Sequence, residues 1–163
     1  MCIGPHGPIA HIRSDGAVQP LMRFLLDTNI ISNVVKAEPS KALLTWLGAQ
    51  TDTDLFIAAL TVAEIHRGIL EKPGGKKRKI LEAWFAGPEG PQALFANRIL
   101  AFDEKAALAW AHMMADGKGR GRPRNAFNII IAAIAATNDC IVVTDSEKDF
   151  EGLKIINPLR SKR

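Results

Sequence analysis

Five short apolar runs, "RFLLD", "DLFIAAL", "RILAF", "CIVVTD" and "LKIINP", are spaced along this chain, and all but the last pair are separated by segments with apolar residues at helical spacing. Such alternation calls for parallel strands joined by helical crossovers, with the sheet covered on both faces. The fold class is therefore α/β, around a central parallel sheet of four to five strands. The predicted helices are "TNIISNVVKAE", "PSKALLTWLGAQ", "TVAEIHRGILEK", "KKRKILEAWFAG", "DEKAALAWAHMMADG" and "NAFNIIIAAIAATND". Pro39 suits the first turn of the second. In the third, Val62, Ile65, Ile69 and Leu70 fall on one face and Pro73 to Gly75 ends it.

A chain of 163 residues, 47% hydrophobic and 23% charged, is served by one core. Its longest wholly apolar run, Ile129 to Ala136, is far short of the roughly 20 residues that span a bilayer, so a soluble protein is expected. Cys2 and Cys140 form no zinc or disulfide framework, which fits a reducing cytoplasm. Residues 1–21, rich in Gly, Pro and His and without a signal-peptide pattern, read as a disordered extension ahead of a domain over 22–163. Much of the net charge of +4 sits in "KKRK" at Lys76 to Lys79, "GKGRGRPR" at Gly117 to Arg124 and the terminal "RSKR". Any one such run is ordinarily a solvated face; three together point to a polyanion.

In open parallel sheets, ligand sites form beyond the carboxyl ends of the strands. The polar residues there are Asp27; Thr61 and Glu64; Asp103 and Glu104; Asn128 opening the apolar helix; and Asp145, Ser146 and Asp149. Each has a structural alternative. Asp27 and Asn128 can cap helices, and Thr61 to Glu64 and Ser146 to Asp149 match capping boxes. Several carboxylates in one cleft would repel unless a cation or proton neutralised them, which points to a hard divalent ion.

"FLLDTNIIS", "ALTVAEIHRGI", "NAFNIIIAAIAATNDCIVVTDSEKDFEG" and "INP" resemble the PIN-domain family, and within it the ribonuclease toxins of VapBC-type toxin–antitoxin systems. The likeness runs from about Met22 to Pro158. It implies a three-layer α/β/α fold, Mg²⁺- or Mn²⁺-dependent endoribonuclease activity, a homodimer, and inhibition by a cognate antitoxin. By position, Asp27 is the first metal ligand and Glu64 the second acid. Asn128 stands where such proteins carry the third acid, and Ser146 where they often carry Asn or Asp, so the fourth role goes to Asp145 or Asp149. Thr28, Asn29, Thr144 and Ser146 would position water or phosphate, while Lys118, Arg120, Arg122 and Arg124 would contact RNA phosphates.

Asparagine keeps a carbonyl that can ligate a cation but removes one negative charge, so weak metal binding and impaired cleavage are expected. The rival is a PIN-fold dimer that binds antitoxin or RNA without turnover. A receiver domain needs an acidic pair after the first strand and a strand-end lysine, and neither is evident. "DTN" at Asp27 to Asn29 also lacks the second Asp of haloacid dehalogenase-like phosphatases. His66 and His112 fall on helices and read as packing or surface residues.

Overall fold

A computed structural model describes residues 21–122 and 124–160. The proposed N-terminal extension lies outside the described residues except for Leu21. Strands β1 (Arg23–Leu26), β2 (Leu55–Ala58), β3 (Ile99–Leu100), β4 (Cys140–Val143) and β5 (Ile155–Ile156) form one sheet in the order β3-β2-β1-β4-β5, all neighbours parallel. The helices are α1 (Thr28–Val34), α2 (Lys41–Gly48), α3 (Ala59–Leu70), α4 (Lys76–Ala86), α5 (Pro91–Leu94), α6 (Glu104–Gly119) and α7 (Ala126–Thr137).

The period of a strand sends successive side chains to opposite faces, and this divides the core in two. Leu25, Ala58 and Val142 pack with Ile129, Ile131, Ile134 and Phe150 on one side. Phe24, Leu26, Leu55, Ile57 and Val143 pack with Ile30, Ile31, Leu43 and Phe95 on the other. Three layers follow, and the buried central strands read as continuous apolar runs because neither face meets water. Ile30, Ile31 and Leu43 are core residues as their spacing predicts, with Val34 and Trp46 packed against them.

The local signals mislead in four places. Ser40, not Pro39, opens α2: its hydroxyl accepts from the Leu43 N–H at 3.3 Å. Leu70 is 47% exposed although it adjoins buried Ile69, because it is the last residue of α3 and its side chain lies off the buried face there. The run "RILAF" pairs only at Ile99–Leu100, as befits an edge strand with a single neighbour. Helix α5, one turn opened by Pro91, has no apolar period long enough to announce it. His66 packs, its ring stacked on Phe85 at 4.7 Å.

Candidate functional site at the β1–β4 switch point

From β1 the chain moves outward through β2 to β3, then returns to the other side of β1 to lay down β4 and β5. The connections therefore diverge above the carboxyl ends of β1 and β4, the place where doubly wound sheets leave a crevice. Asp27 follows β1 there, and Thr144, Asp145 and Ser146 follow β4.

Asp27 is 7% exposed and serves two roles. One carboxylate oxygen, Oδ1, accepts from the Thr28 N–H at 2.8 Å and caps α1. The other, Oδ2, accepts from the buried Thr144 hydroxyl at 2.9 Å, while the Asp27 N–H donates to the Val143 carbonyl at 2.9 Å. Capping and site-building are thus the same geometry seen from two sides. Burial pushes the Asp27 carboxyl above its ordinary 3.8; the Thr144 and Thr28 hydrogen bonds oppose that rise, and the charges of Glu64 and Asp145 add to it.

A group that binds its proton more tightly when folded makes the fold lose stability as pH rises from the unfolded pKa through the higher folded one. In divalent-free buffer, thermal melts of the wild type should therefore drop relative to Asp27→Ser as pH climbs from 3.8. Serine keeps the helix cap and removes the charge. A wild-type-minus-variant difference flat between pH 4 and 8 would contradict this.

Glu64 lies on the second turn of α3, and its Oε2 accepts from the Thr28 hydroxyl. The buried Thr61 hydroxyl stands 3.4 Å from the same Thr28 oxygen. The capping-box reading of Thr61 to Glu64 fails because α3 begins at Ala59 and Ala58 is its N-cap, so both residues lie inside the helix. Thr61, one of the strand-end polar residues, therefore meets this network from inside the helix and not as a cap. The Asn29 amide Nδ2 donates to the Ser146 hydroxyl at 2.9 Å and to the Thr144 hydroxyl at 3.3 Å. The Ser146 N–H also donates to Thr144 at 3.0 Å, and the Ser146 hydroxyl lies 3.4 Å from Asp145 Oδ1. Asp27, Thr28, Asn29, Glu64, Thr144, Asp145 and Ser146 thus join through hydrogen bonds and shared charge.

Asn128 is reached differently. Only Asn138 and Asp139 separate α7 from β4, so the helix must run antiparallel to that strand, with its N-terminus at the strand's carboxyl end. Consistently, Asn125 shares a cavity with Lys148 and Asp149 beyond β4. The cap of α7 is Asn125, whose Oδ1 accepts from the Phe127 and Asn128 N–H groups at 3.0 and 3.3 Å. The half-buried Asn128 has no side-chain hydrogen bond among the described residues, which removes the capping explanation for its amide. Asn125→Ala should cost ~1 kcal/mol of stability by loss of the cap, and Asn128→Ala less than half that; chemical denaturation of the two variants checks the order.

The remaining acids and cations separate from this network. Asp103 caps α6, accepting from the Ala106 N–H at 2.9 Å, and Glu104 begins that helix. Asp149 lines a cavity of about 340 Å³ with Arg120, Arg122, Arg124 and Lys148. Lys118 stays exposed on the last turn of α6.

The donors around Asp27 are hard oxygens, the type that Mg²⁺ prefers. Among the described residues Asn29 Oδ1 is buried without a partner, an orphan acceptor that a cation or its water would satisfy. Among the described residues no three Asp, Glu, His or Cys side chains are grouped to hold an ion by themselves. The arrangement fits an ion held by Asp27 and Glu64 that keeps several waters and takes a substrate phosphate, rather than one caged wholly by protein.

The family model for the PIN domain matches residues 24–155. The chain is 40% identical over 137 residues to a VapC ribonuclease, Y4jK, of Sinorhizobium fredii, covering 83% of this chain and 96% of that one. It is 33% identical to Toxin FitB of Neisseria gonorrhoeae, over 83% of this chain and 97% of that one. A solved structure of FitAB bound to an IR36 DNA fragment superposes with a TM-score of 0.78 at 31% identity, covering 86% of this chain and 98% of its counterpart. With the fold, the strand-end acids and these likenesses in agreement, the chain belongs to the PIN domain family.

Proposed function

We propose that this protein is a metal-dependent endoribonuclease, the toxin of a toxin–antitoxin pair, which hydrolyses RNA phosphodiester bonds. The observation that carries the reading is buried Asp27 joined through Thr28 to Glu64 at the β1–β4 switch point. The relatives named as a VapC ribonuclease and as Toxin FitB support it.

Asp27 and Glu64 would hold Mg²⁺ or Mn²⁺, with the Asn128 carbonyl and Asp145 as further oxygen donors. Such an ion, when bound, supplies a more acidic water and offsets charge on the phosphate. Asp27 is held for this role by Thr144 and the α1 N-terminus, so its oxygens cannot swing away. Thr28 fixes Glu64, which takes the proton of the attacking water or orients that water. Asn29 and Ser146 hold Thr144 in turn. Lys118 and the arginines of the α6–α7 loop meet the RNA backbone, setting affinity without reading sequence.

An antitoxin segment has a place to lie. A cavity of about 850 Å³ opens between α1, α2, α4 and α5, lined by Ile31, Val34, Leu47, Ile80, Trp84 and Phe95 among others. Ile80 is 58% exposed, so an amphipathic segment would gain apolar burial there. FitAB, one of the structural neighbours, is a two-component complex by its name, which supports an antitoxin partner. A homodimer in a cytoplasmic setting completes the reading. Among the described residues no helix is long and apolar enough to cross a membrane.

Incubation of the purified chain with single-stranded RNA, with Mg²⁺ or Mn²⁺ and then with EDTA, tests the activity. Cleavage that needs the ion supports it, and cleavage indifferent to EDTA overturns the metal dependence. Asn128, standing where the resemblance implies an acid, favours a second reading, a PIN-fold dimer that grips antitoxin or RNA without turnover. Binding without cleavage, even after Asn128→Asp, would select it.

A further inference from the structure

The cavity that contains Asp149 lies outside the Asp27 network and is lined from two distant parts of the chain: Gly117 of α6 with Arg120, Arg122, Arg124 and Asn125, and the turn after β4. Four cations line it, Arg120, Arg122, Arg124 and Lys148, against the carboxylates of Asp149 and Glu151. Two of the cations have solvent-exposed carboxylate partners: Arg120 pairs with Asp116 at 3.1 Å and Arg122 with Glu151 at 3.1 Å. Among the described residues Arg124 and Lys148 have no ion pair, and the Asp149 carboxylate has neither ion pair nor hydrogen bond.

Arg124 is seated by a close approach. A Cβ at Gly117 would stand 2.9 Å from Arg124 Cγ and 3.0 Å from the Arg122 carbonyl oxygen, so only glycine lets that side chain lie across the end of α6. The Arg122 N–H donates to the Gly117 carbonyl at 2.9 Å and clamps the loop back onto the helix. The cap residue Asn125 brings the positive end of α7 to the same wall.

We infer that this cavity holds one ribose-phosphate unit of an RNA strand, next to the one being cut. The inference rests on the proposed ribonuclease reading. Uncommitted Arg124 and Lys148 take the phosphate, and the acceptor-only carboxylate of Asp149 takes the ribose 2′-hydroxyl, the group by which a protein tells RNA from DNA. A free anion site would have no use for a carboxylate on its wall, since it repels phosphate. A ribonucleotide needs both signs.

Fluorescence polarisation with a single-stranded oligoribonucleotide and the matching oligodeoxyribonucleotide, in EDTA to suppress turnover, tests the assignment. Arg124→Ala with Lys148→Ala should weaken RNA binding about tenfold and flatten the salt dependence by about 0.7 in log–log slope per lost contact. Gly117→Ala, which changes no charge, should weaken it in the same direction. Asp149→Asn should lower the preference for RNA over DNA several-fold while leaving DNA affinity equal or higher. Unchanged affinity and slope in Arg124→Ala/Lys148→Ala, beside a wild type that binds and cleaves RNA, would overturn the cavity and leave the nuclease intact. A wild type that neither binds nor cleaves RNA would overturn both. An unaltered RNA preference in Asp149→Asn, or an acidic peptide that competes as well as RNA of equal charge, would overturn the ribose-phosphate assignment alone.

Discussion

Asp27→Ser should lower metal-dependent RNA cleavage by about 100-fold or more, with Glu64→Gln close behind, since each removes a group placed to hold or activate the attacking water. Serine retains an oxygen that caps α1, and glutamine retains a carbonyl to accept the Thr28 hydroxyl, so both variants keep local structure while losing charge. Asp27→Asn is a poorer probe. Its amide would donate toward Thr144, whose hydroxyl already accepts from Asn29 and from the Ser146 N–H and has no third lone pair to offer. Rates measured against a defined single-stranded RNA, in the wild type or in an Asn128→Asp background where turnover is slow, decide the matter. Either variant retaining a third of the parent rate, with an unchanged melting temperature, would remove the residue it replaces from the chemistry.

The second large effect is a gain. Asn128→Asp should raise both Mg²⁺ affinity and cleavage rate, about tenfold or more. One unit charge against another about 4 Å away, at an effective dielectric near 20, interacts by on the order of 4 kcal/mol before desolvation, and about 1.4 kcal/mol already amounts to tenfold. The side chain is available for the change because Asn125, not Asn128, caps α7, and an acid in the first turn of a helix also meets the positive end of its dipole. Calorimetric titration with Mg²⁺ separates binding from turnover. Failure of both to rise would place Asn128 outside the metal site. A rise in affinity with no cleavage would favour the binding-only reading, and Ser146→Asp added to Asn128→Asp would then test whether a further carboxylate at that position restores turnover.

Asp149 shows how sequence position and spatial role part. Its place after β4, four residues beyond Asp145, made the two interchangeable on paper. In the fold, the charges felt by Asp27 are those of Glu64 and Asp145, whereas Asp149 faces Arg124 and Lys148 across a different cavity. The short helical turn at Glu147–Phe150, anchored by buried Phe150, carries Asp149 round to the α7 side. Spacing along a chain cannot register such a turn, because it depends on where one aromatic finds its pocket.

Local pattern alone determined that this is an α/β protein with parallel strands buried on both faces, since apolar runs and helical periods report which residues must leave water. It also placed Asp27, Asn128 and Asp145 near helix starts or strand ends, since chain reversal puts polar residues there. Strand order was left to the tertiary structure. Only the return of the chain to the far side of β1 sets Thr144 against Asp27, and only the approach of α3 to α1 hands the Thr28 hydroxyl to Glu64. Those contacts join residues 117 and 36 positions apart, and they depend on which faces pack together once the whole core is closed, a choice that no local period encodes.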